Sequence, residues 1–158
     1  MTDRRDQSVC WGEFARLQPD LARFGRSKLT EAPAYLATVR KSGAPRVHPV
    51  TPIFTESGLY LFMEPTSPKG RDIRERESFA LHNGVPDNAG TGGEFHLLGR
   101  GFVVEDPAVR SSAAASASCE PAERHVLYEL HVTEARCNGY GDVPLPATRV
   151  WAVEPVRS

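Results

Sequence analysis

The chain lacks the residue patterns that would mark a metal centre, a disulfide framework or a membrane segment. Its 158 residues include three cysteines, Cys10, Cys119 and Cys137, an odd number without C-x-x-C spacing, which argues against a disulfide scaffold and a zinc knuckle. The five histidines, His48, His82, His96, His125 and His131, form no H-E-x-x-H or similar ligand pattern. A net charge of −1 supplies no broad field for gripping nucleic acid or an anionic membrane, so neither is expected as a partner. The longest apolar runs, such as Leu59 to Met63, are far too short to span a bilayer, and the N-terminus leads into no hydrophobic signal segment. A cytoplasmic protein is the expectation. Neither G-x-G-x-x-G nor G-x-x-x-x-G-K-S/T occurs, so a dinucleotide fold or nucleotide-hydrolase phosphate loop has no support.

What is present is an ordinary globular composition, 40% apolar and 25% charged, and a length suited to one domain over residues 1–158. The most informative stretch is Leu59 to Ile73: an apolar strand, Pro65 as a stop, then Ser67-Pro68-Lys69-Gly70-Arg71-Asp72-Ile73. Ser67 fits a helix cap and Pro68 the first helical position. An isolated helix would favour Asp or Glu in that turn, because the first N–H groups are unpaired and the peptide dipole is positive there. Lys69 and Arg71 break the rule, each costing a few tenths of a kcal/mol up to about 1. A phosphate held between the N–H groups, the Ser67 hydroxyl and a cation would offset this with charge-assisted bonds of roughly 1.5 to 3 kcal/mol each. The alternative is a solvated surface helix in which Lys69 faces Asp72, or Arg71 faces Arg74, at three-residue spacing.

Elsewhere the pattern alternates with period two. Trp11, Phe14, Leu17, Leu21 and Phe24 predict a short helical lead-in over residues 1–30, interrupted by Pro19. Strands are expected from Ala34 to about Arg40, Arg46 to Phe54, Leu59 to Met63, Phe79 to His82, Glu94 to Glu105, around Val126 to Val132, and from Arg149 to Glu154. Pro49 and Pro52 remove two ladder donors from the second of these, which suits an edge or a strand facing a ligand. Gly99 and Gly101 permit a bend in the long strand, and Asp106-Pro107 starts a helix running to about Ser118. No repeated βαβ rhythm emerges. The expected fold is mainly β (α+β): an antiparallel barrel of about six strands with peripheral helices.

Over roughly residues 32–154 the order of features resembles the pyridoxamine 5'-phosphate oxidase-like family, the flavin-binding split barrels. The likeness is carried by Leu36-Ala37-Thr38-Val39 with Gly43-Ala44-Pro45, the strand through His48, Val50 and Thr51, and Leu59 to Met63. Above all, Ser67 to Ile73 is similar to the family's S-R-K phosphate segment, and Gly99 to Val103 and Arg149 to Pro155 also fit. The resemblance implies a homodimer with two cofactor sites at the subunit interface, holding FMN, the deazaflavin coenzyme F-420 or, in some branches, haem. By position, Ser67 and Lys69 would hold the cofactor phosphate with Arg71 nearby, and the backbone at Val50 and Thr51 would lie along the ring. His48 and Pro68 stand where the oxidase branch has arginines, which argues against a true pyridoxamine phosphate oxidase. Glu94 falls near a position that supplies a ring contact from the partner subunit. Trp151 lies on a strand that can border the substrate, or is simply a core aromatic.

The resemblance therefore implies an oxidoreductase moving hydride between FMN or F-420 and a small conjugated substrate. The cofactor carries the difficult chemistry and no catalytic side chain is demanded. The alternative is a non-catalytic flavin- or haem-binding storage or stress protein. A haem would need an axial ligand, for which His48, His82 and His96 are nominal candidates.

Overall fold

A computed structural model describes residues 3–155. After a 3₁₀ turn at Arg4–Gln7, the elements run α1 (Trp11–Leu17), α2 (Pro19–Thr30), β1 (Ala34–Val39), β2 (Pro45–Val50), β3 (Ile53–Phe54), β4 (Leu59–Met63), α3 (Pro68–Arg76), β5 (Ser78–His82), β6 (Glu94–Val104), α4 (Pro107–Ser116), β7 (Val126–Asn138) and β8 (Val150–Ala152). The strands form one antiparallel sheet in the order β2-β1-β5-β6-β7-β4-β3. β8 pairs with the C-terminal part of β7, beyond the stretch that β4 occupies.

The antiparallel barrel is as expected, and among the described residues its sheet has eight strands where about six were expected. The expected strand from Arg46 to Phe54 is divided at Thr51-Pro52, and its halves lie at opposite edges of the sheet, β2 against β1 and β3 against β4. Two consecutive strands are therefore the two edges, joined by two residues, which makes the barrel a split one. Proline explains the division: Pro49 and Pro52 cannot donate to a ladder, so pairing ends where the chain crosses the seam. The helical lead-in is likewise two helices, with Pro19 opening the second rather than kinking one.

The concave side of the sheet is filled by alternating residues of every long strand, among them Leu36, Leu81, Phe95, Leu97, Leu61 and Leu130. Trp11, Phe14, Leu21 and Leu29 from α1 and α2 join this core, as does Ile73 from α3. A smaller cluster of Ile53, Tyr60, Leu127 and Ala113 seats α4 beside β3. The bend at Gly99 is a bulge between Leu98 and Gly99, where any Cβ would run into the His131 carbonyl.

The convex side is less well covered. Across it, Val47, Ala37, Ala80 and Leu98 stand side by side on β2, β1, β5 and β6, and Pro49, Tyr35, His82 and His96 make the parallel row. Tyr35 is 49% and Val47 61% exposed. Among the described residues, no helix is long and apolar enough to cross a membrane.

Candidate functional site

A cleft of about 290 Å³ opens at the seam between the two sheet edges. One side is Pro49, Val50, Thr51 and Ile53, where the chain crosses from β2 to β3. The floor is Leu61, Phe62 and Met63 of β4, with Lys69 of α3 at one end. The remaining side is the segment after α4, residues 117–121, together with His125.

The placement of α3 begins with Asp72. Its carboxylate is buried, accepting from Thr38 Oγ1 and Arg46 Nε at 2.8 Å each and from Arg76 Nη2 at 3.4 Å. Burial alone would push the Asp72 carboxyl up, yet the hydrogen bonds from Arg46 and Thr38 outweigh it and hold the group below its ordinary value. α3 is thus pinned to β1 and β2 through one side chain. Asp72 does not neutralise Lys69, and among the described residues no carboxylate pairs with that lysine. Lys69 is half-buried and its Nζ donates to Ser67 Oγ at 3.2 Å. Desolvation lowers its pKa from the ordinary lysine value.

Ser67 occupies the cap position as expected, but its hydroxyl caps no backbone N–H of the first turn. The floor of that turn carries another unused group: Tyr128 is fully buried and its Oη has no hydrogen-bond partner. It lies under Gly70, where an added Cβ would come within 2.8 Å of the hydroxyl. A cation without a carboxylate partner among the described residues and an uncapped helix start are together suited to an anionic group.

The structure brings Val50, Thr51 and Lys69 onto one cleft, with Ser67 attached through Lys69. Arg71 is exposed and does not line it. His48 lies on β2 opposite Leu36, outside the lining. Glu94 opens β6 and is engaged by His82 Nε2 at 3.2 Å and Asn138 Nδ2 at 3.1 Å, away from the cleft of its own chain. The Trp151 ring packs tilted against Phe14 at 5.1 Å and belongs to the periphery of the core. Sequence reasoning missed the whole side formed by 117–125, which offered only a run of small residues and one proline as signals.

No family model matches the chain, and neither does any curated protein sequence. Solved structures do. A haem-binding protein from Mycobacterium smegmatis superposes with a TM-score of 0.64 at 17% identity, covering 84% of this chain and 59% of that one. The chain therefore spans less than two thirds of that protein's length. A candidate pyridoxamine 5'-phosphate oxidase from Listeria innocua gives a TM-score of 0.56 at 14% identity over 71% of this chain and 93% of that one. This is the split-barrel fold of the pyridoxamine 5'-phosphate oxidase-like proteins. An F-420 reductase superposes on the same split barrel with a TM-score of 0.53 at 23% identity, over 69% of this chain and 94% of that one.

Proposed function

We propose that the seam cleft binds a phosphorylated flavin or deazaflavin, and that the protein is an oxidoreductase acting on a small conjugated substrate. The observation that carries this reading is Lys69, a half-buried ammonium facing the cleft at the start of α3 with no carboxylate partner among the described residues. The walls beyond it, Val50, Ile53, Leu61 and Met63, are apolar and suit a planar ring. Similarity in fold to an F-420 reductase supports the same class. When bound, such a cofactor supplies the hydride chemistry. The chain's own residues would fix the phosphate at Lys69 and Ser67, hold the ring edge along Thr51, and exclude water through the apolar floor.

Haem fits less well. His125 is the one imidazole lining this cleft, and both of its nitrogens are already engaged: Nδ1 accepts from the Ala122 N–H at 3.1 Å and Nε2 lies 3.0 Å from Glu64 Oε1.

We further propose that the homodimer is made by the convex sheet face, whose row of Val47, Ala37, Ala80 and Leu98 would be covered by a second copy.

Titration of the protein with FMN, F-420 and haem tests the assignment. Saturable binding of FMN or F-420, weakened by about 1 to 3 kcal/mol in Lys69→Ala, is expected. Unchanged affinity in that variant removes the phosphate role. Tight binding with no turnover across quinones and nitroaromatics makes the protein a carrier instead, and a Soret band in preference to flavin binding overturns the cofactor class.

A further inference from the structure

We infer that residues 117–125 form the wall that selects the planar ring of the ligand, and that Arg110 is the positioning residue that sets this wall; the inference rests on the cofactor reading above. The segment follows α4 and has no regular structure, yet it supplies Ala117, Ser118, Cys119, Glu120, Pro121 and His125 to the cleft. A loop with that share of a binding surface needs something to hold its shape. The structure shows two attachments, one on each side.

On the inner side, Arg110 of α4 directs its guanidinium at three backbone carbonyls: Nη1 donates to His125 O at 2.7 Å, and Nη2 to Ala122 O at 3.2 Å and Glu123 O at 3.1 Å. The same guanidinium lies over the Phe62 ring, 5.0 Å from its centroid, and Phe62 is part of the cleft floor. One planar fork therefore fixes the turn and its distance from the floor together. Lysine could not reproduce this, since a point charge lacks both the fork and the stacking plane.

On the outer side, Glu64 accepts from Arg124 Nε at 3.0 Å and Nη2 at 2.6 Å, and meets His125 Nε2 at 3.0 Å. Because His125 Nδ1 accepts a backbone N–H, the neutral ring carries its proton on Nε2 and gives it to Glu64. With both nitrogens committed, His125 turns ring surface rather than an available proton toward the cleft. The wall discriminates by shape and stacking, and the ligand class it fits is a flat heteroaromatic ring.

The test uses the full chain with FMN, F-420 and their phosphate-free cores as probes, read by flavin fluorescence, with circular dichroism confirming that each variant is folded. Arg110→Gln is expected to weaken a phosphorylated cofactor and its phosphate-free core alike, by about tenfold, and Arg110→Lys not to restore either. Lys69→Ala is expected to weaken only the phosphorylated form. Wild-type affinity for both forms in folded Arg110→Gln overturns the proposal while leaving the cofactor reading intact. Should Arg110→Gln fail to fold, alkylation of the exposed Cys119 in the wild-type chain decides: saturating ligand must slow it by about fivefold or more, as expected for a thiol on a wall in contact with ligand. Unchanged alkylation overturns the wall. Absence of any flavin or deazaflavin binding to the wild-type chain overturns the cofactor reading, and the ring-selecting wall with it.

Discussion

Asp72 is the residue at which two readings of the α3 sequence diverge. Spacing alone allows it to neutralise Lys69; the structure turns it inward to Thr38, Arg46 and Arg76, leaving Lys69 to the cleft. That turn was illegible in sequence because Thr38 and Arg46 lie 34 and 26 residues away. Removing the carboxylate strands the partly exposed Arg46 guanidinium and the buried Thr38 hydroxyl, while Arg76 keeps the Val39 carbonyl and Glu75, so Asp72→Ala should cost about 2 to 4 kcal/mol in urea unfolding. Lys69 makes a pH prediction. Its pKa is lowered by burial, and an anionic ligand needs the charged form, so affinity for FMN should fall as pH rises, beginning below the ordinary lysine value of 10.5. Riboflavin, without the phosphate, should show no such fall in the same titration. Glu64 behaves oppositely: hydrogen bonds from Arg124 and His125 hold its pKa at about 2. Because its folded pKa is depressed, its contribution is fully present above the ordinary carboxylate value and is lost as pH falls through about 2. Carboxyl chemical shifts followed by NMR should place its midpoint near that value, and a midpoint near 4.5 would mean that the outer attachment is absent in solution.

Helices with a proline start were the most readable elements. Ser67-Pro68 and Asp106-Pro107 mark the first turns of α3 and α4 as the sequence suggests, and Asp106 does cap, accepting from the Ala108 N–H at 2.8 Å. The strands were readable as strands but not as neighbours. Nothing local to Arg46 to Phe54 says that its halves pair with opposite ends of a sheet, since β4 finds its partner in β7 more than sixty residues later. The segment 117–125 was illegible for a different reason: its shape depends on main-chain carbonyls, which carry no side-chain signature. The bulge was legible through its glycine. Gly99→Ala would press a Cβ into the His131 carbonyl and the Phe79 ring, and a loss of about 1 to 3 kcal/mol in thermal or urea unfolding is expected. A neutral result would mean that β6 and β7 can re-register there.

For the whole molecule the open question is what lies on the convex face. Val47→Glu places a charge at the β2 end of the apolar row without touching the core. Sedimentation should show a dimer for the wild-type chain and a monomer for the variant, with the chain still folded; a wild-type monomer at high concentration removes the proposed dimer. The split barrel itself was legible from the order of features, and the solved structures it resembles range from a haem-binding protein to an F-420 reductase. The seam suggests how one scaffold suits ligands of different breadth. Because β2 and β3 are joined by Thr51 and Pro52 and share no ladder, no sheet hydrogen bonds set the distance between the two edges there. The width of the cleft is therefore set by the side chains and the 117–125 segment that line it, and not by the register of a ladder.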